Sequence, residues 1–281
     1  MRHFYVITNE QKDPYRIVTN RLCASLREKG CYVSTQEERH SDKEGYTDVS
    51  RIPQEVEAVI VLGGDGTMLQ AARDTGDRNL ALIGVNLGTL GYLTEIEQDS
   101  MEEALERIVR DDYQLEERMM LHGEIVGENA CANDALNDIV ISRKGSLQVV
   151  HYSIYVNGKF LREYSADGVI IATPTGSTGY NLSAGGPIVE PKAKMIVITP
   201  ICPHTTNTRS IILSPEDEVM IEIEPGRDGK PQALEAYFDG SFHVGIHTGD
   251  QIYIRRSRRQ KKFIRLDQES FLQVLHTKMN E

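Results

Sequence analysis

Ala58-Val59-Ile60-Val61-Leu62-Gly63-Gly64-Asp65-Gly66-Thr67-Met68-Leu69-Gln70-Ala71-Ala72-Arg73-Asp74 decides how the first part of this chain folds. A short, purely apolar run reads as a buried strand. Glycines then let the backbone turn tightly and let a ligand approach the main chain. Helical character follows over 67–74, so the stretch predicts strand, glycine turn and helix. Amides exposed at such a helix start suit an anionic phosphate. No lysine stands where a P-loop carries one, so this is not a Walker A motif. An aspartate sits among the glycines instead. A carboxylate beside a phosphate site repels the phosphate unless it binds a metal or takes a proton from an incoming hydroxyl. A plainer reading, a glycine-rich turn with Asp65 capping the helix, stays open on these residues alone.

Outward from that stretch, strand and helix patterns alternate. Residues 4–8 form a short apolar strand. Asp13-Pro14 offers a helix start, with Asp13 as N-cap and Pro14 at the first helical position. That helix runs to about Lys29 and stops at Gly30. A second strand follows over 31–35, a polar loop over 38–46, and a further buried strand over 80–85. Ser100 caps a helix whose apolar residues Met101, Ala104, Leu105, Ile108 and Val109 have helical spacing. Alternation of this kind implies a parallel sheet with helices on its faces. Near Tyr113 the pattern changes to short strands: 139–141, 153–156, 169–171, 195–199, 219–223 and 251–254. Asn157-Gly158 is a hairpin turn signal among them. The expected layout is an α/β domain with a parallel sheet over 1–115 and an all-β domain over 116–266. The basic cluster 255–262 reads as a solvated turn between two strands, and the apolar tail Phe271, Leu272, Val274 and Leu275 as a docking segment.

Composition narrows the classes of function. Of 281 residues, 40% are hydrophobic and 26% charged, ordinary for a globular protein. Net charge is −11, the reverse of the basic excess a nucleic-acid binder shows. The 4 cysteines have no CxxC spacing and no tight Cys/His cluster, so they read as scattered reduced thiols. The N-terminal apolar run is too short for a signal peptide, and no apolar stretch reaches the ~18 residues a membrane span needs. A soluble, cytoplasmic protein without nucleic-acid or membrane partners is expected.

A second motif is longer: Asp167-Gly168-Val169-Ile170-Ile171-Ala172-Thr173-Pro174-Thr175-Gly176-Ser177-Thr178-Gly179-Tyr180-Asn181. A strand opens onto a loop dense in hydroxyls. Thr175, Ser177 and Thr178 can hydrogen-bond ribose or phosphate oxygens, and Tyr180 can stack on a base. Asn137-Asp138 and Asp239-Gly240 are plain turn pairs by themselves.

Taken together, Gly63–Thr67, Asn86-Leu87-Gly88-Thr89-Leu90-Gly91-Tyr92-Leu93, Asn137-Asp138, Asp167–Asn181, the segment 199–204, Arg209 and Asp239-Gly240 resemble the bacterial NAD kinases, in that family's order over about 58–240. The GGDGT box alone is shared with lipid kinases, and the hydroxyl-rich run is much more specific. The resemblance implies a kinase that phosphorylates the adenosine 2′-hydroxyl of NAD to give NADP. ATP, another nucleoside triphosphate or polyphosphate would be the donor, carrying Mg²⁺. It implies that Asp65 is the catalytic base and that Gly64 and Gly66 lie against the dinucleotide. Asn137 and Asp138 hold a ribose, and Tyr92 packs near the adenine. Asp167, Thr175, Thr178 and Tyr180 contact the adenosine parts. Ser165, Gly179, Asn181, Leu182, Ser183, Cys202 and Asp239 complete the implied substrate-binding set. No residue of the chain is implied as a metal ligand. The resemblance further implies a homodimer or homotetramer, and a tail over 267–281 that returns to the first domain. Asp138 stands where the family usually has Glu, Ser165 where a basic residue is common, Ala166 for a glycine, Ser210 for a proline and Ser241 for a glutamine. The alternatives are a lipid kinase using the same box and a non-catalytic NAD(P) sensor.

Overall fold

The computed structural model describes residues 1–36, 47–76, 78–89, 91–145, 148–205, 209–266 and 271–280. The loop expected over 38–46 lies outside them. The chain divides into two compact units, Met1–Glu117 with Lys261–Glu281, and Arg118–Gln260. The expected boundaries, 115/116 and 266/267, sit two residues early and six residues late.

The first unit contains β1 (His3–Thr8), α1 (Ile17–Glu28), β2 (Tyr32–Thr35), β3 (Ala58–Gly63), α2 (Asp65–Asp74), β4 (Ala81–Asn86) and α3 (Met101–Val109). Its sheet runs β2-β1-β3-β4, each pair parallel. β1, β3 and β4 are buried almost throughout, as parallel strands covered on both faces must be. Phe4, Val6, Leu22, Leu26, Ile60 and Ile83 belong to its core. Helix α1 begins three residues after Pro14, not at it. Arg16 in a left-handed conformation precedes it and makes no side-chain cap bond. Asp13 still caps the helix from farther upstream: its carboxylate accepts bonds from the Thr19 amide at 2.9 Å, the Val18 amide at 3.3 Å and the Thr19 hydroxyl at 2.7 Å. The cap was legible, but the extra turn between cap and helix was not.

The second unit is built from β5 (Gln114–Val126), β6 (Cys131–Ala135), β7 (Asp138–Arg143), β8 (Val150–Val156), β9 (Lys159–Ala166), β10 (Gly168–Ala172), the four-residue helix α4 (Tyr180–Ser183), β11 (Ile196–Ile201), β12 (Ile211–Leu213), β13 (Val219–Ile223), β14 (Ala233–Phe238), β15 (Phe242–His247) and the first part of β16 (Gln251–Arg265). The end of β5 before Arg118 belongs to the first unit. Antiparallel pairing gives a six-stranded sheet, β12-β11-β10-β7-β14-β15. A second antiparallel set runs from β16 through β13 and β8 to β9. The two sets share one core that includes Leu121, Tyr152, Ile154, Val169, Ile171 and Phe238. On β10 the period-2 rule sends Val169 and Ile171 into that core, and Ile170 and Ala172 into a separate cluster on the other face. A strand covered on both faces is apolar without interruption, as this one is. Asn157 and Gly158, both with positive φ, close the β8–β9 hairpin as their sequence requires.

One expectation is overturned. The basic cluster 255–262 is no turn: it lies inside β16, which continues to Arg265. The last residues of β16 return to the first unit and pair in parallel with β4, Lys262 opposite Ala81 and Phe263 opposite Leu82. The cluster is not uniformly solvated: Arg255, Arg258 and Arg259 are exposed, while Ser257, Lys261 and Phe263 are buried. Helix α5 (Phe271–Met279) follows and belongs to the first unit.

Candidate active site

In the first unit the site grows from the end of β3. Gly63 has no room for a side chain: a Cβ there would lie 2.5 Å from the Thr67 hydroxyl. The backbone therefore folds flat against the first turn of α2, and Asp65 becomes the first residue of that helix. Its carboxylate accepts hydrogen bonds from the Tyr92 amide at 2.8 Å and the Leu93 amide at 3.0 Å. These bonds explain Gly91, where a Cβ would fall 2.0 Å from Asp65 Oδ1. The same Cβ would lie 2.8 Å from the hydroxyl of Thr94, which is buried and has no hydrogen-bond partner among the described residues. A lone threonine carries no motif, so nothing in the sequence marks Thr94. A carboxylate offers about four lone-pair positions, so two amides leave it able to accept a further hydroxyl. Tyr92 is half-buried, and its phenol is pushed above the ordinary value by burial and then by the charge of Asp65. Gly64 is half-buried and Gly66 exposed, so the turn is reachable from solvent.

In the second unit, Asp239 organises the Asn137 turn. It sits in the left-handed region with φ 48. One carboxylate oxygen accepts from the Asn137 amide at 2.7 Å and the Asp138 amide at 3.2 Å, and the other accepts from the Leu136 amide at 2.8 Å. Asp239 is thus a clamp on the backbone that presents Asn137 and Asp138. The hydroxyl loop closes on the same turn. The Thr173 amide donates to the Asn137 carbonyl at 2.8 Å, and the Thr173 hydroxyl to the Leu136 carbonyl at 2.6 Å. Gly176 passes so close that a Cβ would lie 2.2 Å from the Asn137 carbonyl oxygen. A Cβ on Gly179 would lie 3.5 Å from the Asn137 amide nitrogen.

Two polar groups at this turn have no hydrogen-bond partner among the described residues. Asn137 Oδ1 is buried and unbonded. The Asp138 carboxyl is buried, accepts no hydrogen bond from a described residue, and is pushed up to about 7 by burial and then by the charge of Asp239. Buried polar atoms without partners are rare, and each costs about 1–3 kcal/mol. A ligand with hydroxyl groups would satisfy both.

The loop residues divide by role. Asn181 holds the loop together: its amide donates to the Ser177 and Pro187 carbonyls at 3.0 Å each, and its Oδ1 accepts from the Thr199 hydroxyl at 2.7 Å. Ser177 exchanges two bonds with the Val189 backbone. Thr175 is buried, and its hydroxyl accepts from Arg118 at 3.2 Å. Thr178 is half-buried, and Tyr180, Leu182 and Ser183 are exposed.

Three implied site residues lie at the other end of β10. Asp167 pairs with Arg143 at 2.7 Å, the Ser165 hydroxyl is 3.0 Å from His151 Nδ1, and Cys202 is exposed with φ 45. Five residues of extended strand separate this group from Thr173, roughly 16 Å at the usual rise. The structure therefore brings Asn137, Asp138, Thr175 and Gly179 together and keeps Ser165, Asp167 and Cys202 apart from them.

Comparison with known proteins gives the class first. The fold matches yeast NADH kinase complexed with NADH at TM-score 0.87 and 23% identity, covering 100% of this chain and 88% of that one. It also matches an NAD kinase from Archaeoglobus fulgidus in complex with ATP at TM-score 0.76 and 23% identity, covering 100% and 99%. The fold is thus the one these NAD(H) kinases share. A family model for the ATP-NAD kinase N-terminal domain matches residues 4–113, and one for the ATP-NAD kinase C-terminal domain matches residues 136–266. The NAD kinase of Lachnospira eligens is 46% identical, covering 99% of this chain and all of its own, and that of Lachnoclostridium phytofermentans is 44% identical, covering 100% of both. The chain belongs to the NAD kinase family.

Proposed function

We propose that this chain phosphorylates the adenosine 2′-hydroxyl of NAD to give NADP, using ATP, another nucleoside triphosphate or polyphosphate. The observation that carries the reading is that both family domains match while Asp65 stands intact at the head of α2, its carboxylate oriented by two backbone amides. Asp65 orients the 2′-hydroxyl and accepts its proton as the hydroxyl oxygen bonds to the terminal phosphorus. The bond from that phosphorus to the bridging oxygen breaks, and its electron pair leaves with the donor remnant. An aspartate is a weak base, but phosphoryl transfer leaves the protein little covalent work beyond positioning and electrostatics. Asn137 and Asp138 offer unpartnered buried acceptors to ribose hydroxyls, and Asp239 fixes the turn that presents them. Thr178 and Tyr180 are accessible for adenosine.

Among the described residues, no group of three or more His, Cys, Asp or Glu is placed to hold a metal ion. In this reading the cation is carried by the donor phosphates, and Asp65 is the carboxylate of this chain at the glycine turn. Mg²⁺ there would supply charge neutralisation. No described helix is long and apolar enough to cross a membrane. Our reading is of a cytoplasmic homodimer or homotetramer. No observation favours the lipid-kinase or sensor readings.

The test is a coupled assay with NAD, ATP and Mg²⁺ on wild type and Asp65→Asn. The amide keeps shape and much of the NAD affinity, while turnover should fall about 10²-fold or more, the usual scale for losing a general base. A variant that retains more than about a tenth of wild-type turnover would show that Asp65 is not the base.

A further inference from the structure

The glycine turn has no lysine in its own sequence, yet an ammonium lies against it. Lys12 comes from the loop after β1. Its Nζ is 3.1 Å from where a Cβ on Gly64 would sit and 2.8 Å from where one on Gly88 would sit. Gly64 follows β3 and Gly88 follows β4, so loops from the carboxyl ends of three adjacent parallel strands converge on this one cation. Open α/β sheets bind ligands at that edge. Lys12 is exposed and, among the described residues, forms no ion pair or hydrogen bond through its ammonium.

The loop that carries it is held at both ends. The Asn9 amide donates to the Leu62 carbonyl at 2.8 Å, and the Asn9 side chain donates to the Thr67 hydroxyl at 3.1 Å, which ties the loop to α2 itself. The Asn9 carbonyl accepts from the Lys12 and Asp13 amides, and Asp13 caps α1. The opposite wall is fixed as well: Asn86 Oδ1 accepts from the Gly88 amide at 3.0 Å, and the Leu87 amide donates to the Gly63 carbonyl at 2.8 Å. An unpaired cation on an anchored loop, pressed against two glycines beside a carboxylate, is arranged for an anion that enters where the missing side chains leave room.

Resting on the proposed function, we propose that Lys12 is a donor-binding residue whose ammonium contacts the phosphate oxygens of the phosphoryl donor over Gly64 and Gly88. It takes the place of the lysine a P-loop carries within its own turn, arriving from a neighbouring strand. There it offsets the charge that gathers on the donor remnant as the terminal phosphate leaves.

Steady-state kinetics and calorimetric titration with inorganic tripolyphosphate, on wild type, Lys12→Ala and Lys12→Arg, test this. A charge-assisted contact of this kind corresponds to about tenfold or more in affinity. Lys12→Ala should raise the KM for ATP and weaken tripolyphosphate by about that factor, leave the KM for NAD within about twofold, and melt as wild type does; Lys12→Arg should recover most of the loss. Unchanged ATP and tripolyphosphate affinities overturn the assignment, and so does an equal rise in both KM values with a lowered melting temperature, which would mark a structural role. If wild type does not phosphorylate NAD at all, the proposed function fails, while tripolyphosphate binding still decides for or against Lys12.

Discussion

Asp138 is where function and stability pull in opposite directions. Its carboxyl is buried with no described donor, and burial followed by the charge of Asp239 pushes it from 3.8 up to about 7. Between those values the folded state holds a proton that the unfolded chain has lost. Stability from this group is therefore complete below about pH 4, falls as pH rises, and is gone above about pH 7. We expect Asp138→Asn to stabilise the ligand-free protein at about pH 8 by at least about 1 kcal/mol, and to change little at about pH 4, where both side chains are neutral and nearly isosteric. Urea unfolding at the two pH values reads the difference, and an equal effect at both would show that the buried charge is not its source. The Asn137-Asp138 pair looks in the sequence like any turn. What singles it out is burial without partners, a property of the folded chain. Asn181 and Asp239 teach the converse. The resemblance names both as substrate-binding, yet the Asn181 side chain bonds to carbonyls and a hydroxyl of its own unit, and the Asp239 carboxylate to backbone amides. A motif names which residues matter, and only the partners of each atom say whether it touches the ligand or shapes what does.

At the scale of elements, the strand–turn–helix at Gly63 was legible because glycine spacing and apolar runs are local. Strand β16 was not. Its centre is dense in arginine and lysine, and charge density argued for a solvated turn. What decides the matter is where one of those cations ends. Lys261 is buried, and its ammonium donates to the Thr75 carbonyl at 3.1 Å and hydroxyl at 2.6 Å. Thr75 is the C-cap of α2, where a cation satisfies free carbonyls and interacts favourably with the helix dipole. Helix α2 is thus fixed at its far end by a residue almost two hundred positions away in sequence, while Asp65 stands at its near end. Burial pulls the Lys261 ammonium down to about 7. Truncating this side chain leaves a cavity and takes away one donor from the Thr75 carbonyl, which keeps the Arg78 amide at 3.1 Å, and the donor to the Thr75 hydroxyl. Lys261→Ala should therefore lower stability by about 2–4 kcal/mol, against no more than about 0.5 kcal/mol for Arg258→Ala on the exposed face of the same strand. Chemical denaturation of the two variants distinguishes them, and equal losses would mean that the buried cap contributes nothing.

At the scale of the molecule, strand–helix alternation predicts a parallel sheet and its helices, but it cannot say that the sheet is completed from the far end of the chain. That completion depends on β4 offering an open edge to β16, a pairing between residues remote in sequence. The segment that follows makes a weaker contact. No residue of α5 is buried, and its recorded ring contacts fall on one residue: Phe271 lies 6.3 Å from the Tyr92 ring and Lys278 Nζ 5.0 Å above it. A helix so exposed adds little to global stability, because an aromatic pair and an exposed cation–π contact each contribute only about 0.5–1.5 kcal/mol. Its effect should be local. Ending the chain at Leu266 should leave the denaturation midpoint nearly unchanged while it uncovers the Tyr92 ring. The amides of Tyr92 and Leu93, which bond to Asp65, should then exchange faster with solvent, because local openings track local contacts. Exchange in β8 of the second unit should not change. Mass-spectrometric hydrogen exchange on full-length and shortened protein reads both segments in one experiment. Unchanged protection at Tyr92 and Leu93 would show that α5 does not steady the Asp65 loop. Faster exchange throughout the first unit would show instead that the tail supports the whole sheet, a larger role than two ring contacts can supply.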